Sequence, residues 1–257
     1  NSTRGASLIA SGASTVVFTN NTFFNNTACS GGAVYLDGVS SAFINNTFIS
    51  NRAICSPNSG GAVKLVCNVG CTNNFTSNDF QNNSAVIGGA LHWTSIVPAL
   101  QSNNFKQNSA EYGEDFASHT SSVVMIADKS NRGGFNLSDV IVSGQPVTTE
   151  LVFNLIDPQG QVVASDNSTA CELSAEGAEL VGAYRTAAIK GELTFQSFTL
   201  TATPGTTLTL TVKCQDLAVA PLKEEFFLRE CMIGEYLTQN ECYICPPDSY
   251  SFDPSKS

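Results

Sequence analysis

Short apolar and β-branched runs, separated by Asn-, Ser- and Gly-rich steps, recur in a fixed order along the first half of the chain. Ala33 to Leu36, Ser41 to Ile44 and Ala62 to Val66 are examples, and no ten-residue stretch keeps helical spacing. The pattern predicts short strands. Its anchor is Phe-x-x-Asn with a second Asn two residues before the Phe. The four copies are Asn21-Thr22-Phe23 with Asn26, Asn46-Thr47-Phe48 with Asn51, Asn78-Asp79-Phe80 with Asn83, and Asn103-Asn104-Phe105 with Asn108. Gly31-Gly32-Ala33-Val34, Gly60-Gly61-Ala62-Val63 and Gly88-Gly89-Ala90-Leu91 follow the first three, and the fourth decays to Tyr112-Gly113-Glu114-Asp115-Phe116. Intervals of 25, 32 and 25 residues between the Phe positions mean that one coil absorbs an insertion.

A repeat of this length cannot bury its own apolar face, so neighbouring copies must stack. A right-handed parallel β-helix gives each repeated residue a task. Phe23, Phe48, Phe80 and Phe105 pile up inside the coil. Gly supplies corners with positive φ, and Asn at a turn bonds both its own backbone and the Asn of the next coil. Asn26, Asn51, Asn83 and Asn108 form one predicted ladder, and the Asn two residues before each Phe form another.

The ordered alternation of Gly-Gly-Ala-Val and Phe-x-x-Asn over residues 15 to 118 resembles the repeats of the polymorphic outer membrane protein family. Those repeats define β-helical surface and adhesion domains, and similar ones occur in large extracellular proteins of algae and other protists. The resemblance implies the same fold for that stretch, and the repeat reading assigns residues 1–130 to the parallel β-helix.

The texture changes from about Asn131. Leu137 to Val142, Thr149 to Ile156, Leu193 to Leu200 and Thr207 to Cys214 are longer alternating segments, with a turn signal at Asp157-Pro158-Gln159-Gly160. Leu208, Leu210, Val212 and Cys214 share one face of a half-buried antiparallel strand. Six to eight such strands over 131–226 with one cysteine pair suggest an immunoglobulin-like β-sandwich, although no Trp lies between Cys171 and Cys214. The third stretch, 227–257, carries Cys231-Met232-Ile233-Gly234-Glu235-Tyr236 and Cys242-Tyr243-Ile244-Cys245-Pro246-Pro247-Asp248-Ser249-Tyr250-Ser251. It resembles an ephrin-receptor-like or tumour-necrosis-factor-receptor-like cysteine-rich module, with Asp248 where those modules carry Gly. The resemblance implies a Cys231–Cys242 disulfide and an incomplete module in which Cys245 awaits a partner. Because the pattern is already running at Asn1 and stops inside this module, the chain is expected to be a segment of a longer polypeptide.

Nine cysteines argue for an oxidising compartment. Cys29 and Cys55 precede successive Gly-Gly corners and should meet on adjacent coils. Cys67 and Cys71 close a small loop in the insertion, and Cys171 and Cys214 are natural partners. Cys242-x-x-Cys245 has the spacing of a half zinc site, but neither a second such pair nor a nearby His accompanies it, so no metal or cofactor is expected.

Composition narrows the function. The 257 residues are 42% hydrophobic and only 13% charged, with net charge −10. Such a chain lacks the Lys/Arg patch that nucleic acid or an anionic membrane requires, and no 18-residue apolar run is present to span a bilayer as a helix. Sequons at Asn1, Asn20, Asn25, Asn45, Asn74, Asn82, Asn136 and Asn167 fit secretion and N-linked glycans. Asn20 and Asn45 hold the same repeat position, so occupied sites would coat one face of the solenoid.

Catalytic groups are sparse. Polysaccharide lyases and hydrolases need clustered carboxylates. Tyr35, Lys64 and His92 occupy equivalent positions and predict an external row with Asp37 nearby, but no coil repeats an acidic residue. Glu111, Glu114 and Asp115 lack calcium-loop spacing and read as a solvated turn. His119 has no identifiable partner, and Trp93 reads as packing on the insertion coil. The resulting expectation is a non-enzymatic, extracellular or cell-surface structural glycoprotein. It would be a segment of a fibre, appendage or matrix that associates with itself or with other extracellular structural proteins through its β-domains. A surface adhesin or carbohydrate-binding protein is the alternative, followed by a polysaccharide lyase or hydrolase.

Overall fold

In the computed structural model, residues 8–12, 15–56, 58–126, 136–215 and 217–250 are described. They are almost entirely β, and the chain divides into two compact units, 1–120 with 157–165, and 121–156 with 166–257.

The first unit is a parallel β-solenoid of about four turns. Its first wall stacks Leu8–Ser11, Val34–Asp37, Val63–Val66, Leu91–Trp93 and Phe116–Ala117. The second wall stacks Thr15–Thr19, Ser40–Ile44, Asn73–Thr76 and Ala99–Gln101, and the third Thr22–Phe24, Thr47–Ile49, Asp79–Gln81 and Asn104–Lys106. The four repeat phenylalanines are in register on the third wall, with ring centroids 4.7, 4.7 and 5.0 Å apart. Phe48 and Phe80 are fully buried. A second aromatic stack, not read from the sequence, runs beside the first on the second wall, where Phe18, Phe43 and Phe75 lie 4.5 and 4.4 Å apart.

Both predicted asparagine ladders are present. Asn83 shows the unit: its Oδ1 accepts from the backbone N–H and Nδ2 of Asn51 at 2.9 and 3.0 Å. Its Nδ2 donates to Phe48 O and to Asn108 Oδ1, both at 3.0 Å. Every polar atom of this fully buried carboxamide is used, which is what makes its burial tolerable. The other ladder repeats the pattern through Asn21, Asn46, Asn78 and Asn103.

The two glycines of each corner have separate causes. Gly31, Gly60, Gly88 and Gly113 hold φ between 58° and 66°. The second glycine lies against the next rung: a Cβ on Gly61 would stand 1.9 Å from Gly89 O, and one on Gly89 2.0 Å from Glu114 O. Among the described residues no further rung of the solenoid follows Glu114, which is exposed and carries a side chain where the earlier corners have their second glycine.

The segment 157–165 leaves the second unit's chain path and belongs to the solenoid. Tyr112 Oη donates to Asp157 Oδ2 at 2.7 Å, and Gln161 Nε2 donates to Phe116 O at 3.1 Å. Asp157 Oδ1 in turn accepts from the backbone N–H of Gln159 and Gln161, and Asp157, Tyr112 and Val163 are buried. The predicted turn is formed, with Gly160 N–H donating to Asp157 O, and it also closes the last coil.

The second unit holds antiparallel sheets. One orders Ser122–Ile126, Leu151–Ile156 and Glu192–Phe195. Another orders Pro146–Val147, Phe198–Thr201 and Glu179–Gly182. The third orders Arg185–Ala187, Ala170–Ala175, Thr207–Cys214 and Leu222–Phe227. Leu208, Leu210, Val212 and Cys214 are buried on one face, as the alternation predicts. Leu137–Val140 is one helical turn instead of a strand, because Asn136 Oδ1 caps it by accepting from Ser138 N–H at 3.0 Å. The hairpin Glu235–Thr238 with Glu241–Ile244 belongs to the same unit, where Gln145 Nε2 donates to Cys242 O.

Candidate functional site: the outward rows of the solenoid

Strand alternation turns Tyr35, Lys64 and His92 outward on the first wall, and the parallel register places them side by side on successive rungs, followed by Ala117. The predicted row therefore exists. Its chemistry is muted. Lys64 Nζ donates to Ser59 Oγ at 2.7 Å, a partner not read from the sequence, and burial lowers the Lys64 pKa. His92 is pushed down to about 3, first by burial and then by the nearby positive charges of Lys64 and His119. It is therefore neutral at ordinary pH, with a buried Nδ1 that has no hydrogen-bond partner among the described residues. Asp37 lies two positions beyond Tyr35 on the same strand, paired with Val66.

The acidic cluster dissolves into separate roles. Glu111 and Glu114 are exposed, while Asp115 accepts from Asn108 Nδ2 at 2.9 Å and so ends an asparagine ladder. His119 is exposed. Trp93 is buried in the solenoid core, 5.9 Å from Phe116, but it lies on the last full coil and not on the insertion. A cavity of about 180 Å³ is lined by Arg52, Ile54, Asn58, Ser84 and Val86 among others. That is smaller than the roughly 300 Å³ at which small-molecule sites begin.

Cysteines pair as Cys29–Cys55, Cys67–Cys71, Cys171–Cys214 and Cys231–Cys242. The first joins adjacent rungs. Cys171 and Cys214 are direct partners on neighbouring strands of one sheet, so this bond does not cross between sheets. Cys245 is a free thiol. Cys231, Glu235 and Cys242 cluster closely enough to suggest a metal site, but both sulfurs are already bonded to each other. Arg229 also engages Glu235 through two hydrogen bonds of 2.8 and 2.9 Å, which holds the Glu235 carboxyl below its usual range.

No protein-family model matches this chain, and no curated protein or solved structure matches it.

The sequons present a different outward pattern. Asn1 lies outside the described residues. The other seven asparagines, Asn20, Asn25, Asn45, Asn74, Asn82, Asn136 and Asn167, are exposed. Asn20, Asn25, Asn45 and Asn82 hold φ of 52° to 55° at the corners before and after the third wall. The fold itself explains their sequence. The corner needs a left-handed residue, for which Asn is well suited, the next position needs a ladder Asn, and a Thr or Ser then opens the following segment. Asn-Asn-Thr is thus a corner code that also reads as an acceptor sequon. Where Ser50, Ser77, Ser102 or Gln107 takes the left-handed position, no sequon arises. The first-wall strands carry none.

Proposed function

We propose that this chain is a structural extracellular glycoprotein, a segment of a cell-surface fibre, appendage or matrix. One observation carries the reading: side chains with chemical potential are committed to holding the fold. Asp115 ends a ladder, Asp157 ties the last coil, Lys64 bonds Ser59, and eight cysteines form disulfides. The disulfides support an oxidising, extracellular location, and exposed asparagines at solenoid corners support N-glycosylation.

Within this proposal the solenoid is right-handed and of the polymorphic outer membrane protein type. The second unit is an immunoglobulin-like sandwich whose disulfide staples neighbouring strands, and the terminal hairpin opens an ephrin-receptor-like module. Self-association is the expected assembly mode. The outer edges of Ala99–Gln101 and Asn104–Lys106 have no strand partner among the described residues, whereas segment 157–165 occupies the edge at Phe116. Imaging of native material tests this, since periodic fibres are expected and a population of isolated monomers would overturn it.

A surface adhesin is the second reading. The sequon-free first wall, with Tyr35, Lys64 and His92 in a row, favours it. Glycan-array binding lost in Lys64→Ala would select it over the structural reading. Turnover of acidic or neutral polysaccharides that depends on Lys64 or His92 would overturn the non-enzymatic part of both.

A further inference from the structure

Phe24 stands 63% exposed on the solenoid surface. Its orientation is set by alternation, because Phe23 points inward and stacks on Phe48. The same outward position on later rungs holds Ile49, Gln81 and Lys106, so the wall does not require an aromatic there. An uncovered phenylalanine leaves apolar surface in water that a partner could bury.

The residue after it is Asn25, exposed, at φ 54°, and the first residue of Asn25-Asn26-Thr27. The left-handed turn ends the strand at an exposed asparagine, directly adjacent in the chain to the strand's last outward side chain. That side chain is Phe24. A pyranose ring has an apolar face of C–H bonds that packs on an aromatic face, and the attached sugar is held at high effective concentration. At the other kind of corner, before the third wall, Ile44, 37% exposed, likewise directly precedes Asn45 at φ 54°.

We propose that Asn25 is N-glycosylated and that the first N-acetylglucosamine lies with its apolar face on the Phe24 ring. The inference rests on the glycoprotein reading and deepens it: the glycan is a packed part of the solenoid surface.

The test is a double-mutant cycle on the full chain produced in a glycosylating eukaryotic cell, with occupancy of each sequon read by mass spectrometry. Asn25→Gln is suited to the corner, because Gln107 holds the equivalent position at φ 54°, and Phe24→Gln copies Gln81. The expected result is an occupied Asn25 and a drop of about 2 to 4 °C in the solenoid's unfolding midpoint on Asn25→Gln. No such drop is expected in the Phe24→Gln background. The sugar's ring protons should also show an upfield ring-current shift by NMR that disappears in Phe24→Gln, a readout independent of any loss of stability. Equal midpoint drops in both backgrounds with no ring-current shift would overturn the contact, as would an unoccupied Asn25 among other occupied sequons, and either leaves the glycoprotein reading standing. No occupied sequon anywhere would overturn both.

Discussion

Asp115 Oδ1 accepts from Nδ2 of Asn108 at 2.9 Å, in the place where a further rung would offer its own asparagine oxygen. The donor's other bond, to Phe80 O, is the ordinary one of the ladder. A carboxylate thus terminates a column of carboxamides, and Asn108 keeps both of its amide hydrogens satisfied.

Asp115→Ala should therefore loosen the last coil. Loss of this charge-assisted bond is expected to cost about 1 to 2 kcal/mol. Amide hydrogen exchange should accelerate at Asn104 to Asn108 with little change at Thr47 to Asn51, and equal acceleration at both would contradict the terminating role.

Phe48 is fully buried between Phe23 and Phe80, each 4.7 Å away. Phe48→Ala removes an aromatic from the middle of the stack, and the solenoid is expected to lose about 3 to 5 kcal/mol in chemical denaturation. Phe43 is equally buried, between Phe18 and Phe75, so Phe43→Ala should match it. A loss under about 1 kcal/mol for either would argue that the stack is not packed as described.

His92 gives a pH dependence with a definite sign. Its folded-state pKa of about 3 lies below the ordinary 6.5, so the unfolded chain binds the proton more readily. The neutral side chain's contribution is fully present above pH 6.5 and is lost progressively as pH falls through 6.5 toward 3. Between pH 6.5 and 5, above most carboxylate titrations, wild-type stability should fall more steeply than that of His92→Gln. Parallel curves would show that His92 is not held neutral.

Cys171 and Cys214 bond across one strand pair and close a loop with a sequence separation of 43. Replacing both by serine should lower the second unit's stability by about 2 to 4 kcal/mol. The solenoid, stapled separately by Cys29–Cys55 and Cys67–Cys71, should keep its own unfolding midpoint. Calorimetry with two resolved transitions measures both outcomes.

The sequence by itself determined the rung. Phe-x-x-Asn, the paired ladder asparagines and the positive-φ glycines are each required within a single coil, so each is written once per repeat and can be read from the repeat. The first three disulfides follow, because coil spacing alone brings Cys29 to Cys55, a four-residue separation limits Cys67 and Cys71, and Cys171 and Cys214 are the cysteines of the middle region. Cys231–Cys242 came instead from the resemblance of the terminal module. The second aromatic stack was also present, as a Phe five residues before Phe23, Phe48 and Phe80, but Leu100 breaks it on the last rung and it carries no asparagine mark. What only the tertiary structure decided lies where the chain makes contacts without a repeat. Asp157 and Gln161 return from between two strands of the second unit to close the last coil, Ser59 meets Lys64 across a corner, and Cys171 faces Cys214 within one sheet. Periodicity fixes neighbours one coil apart, whereas contacts such as Tyr112 with Asp157 depend on the chain's path across a sequence separation of 45 and leave no periodic trace in the sequence.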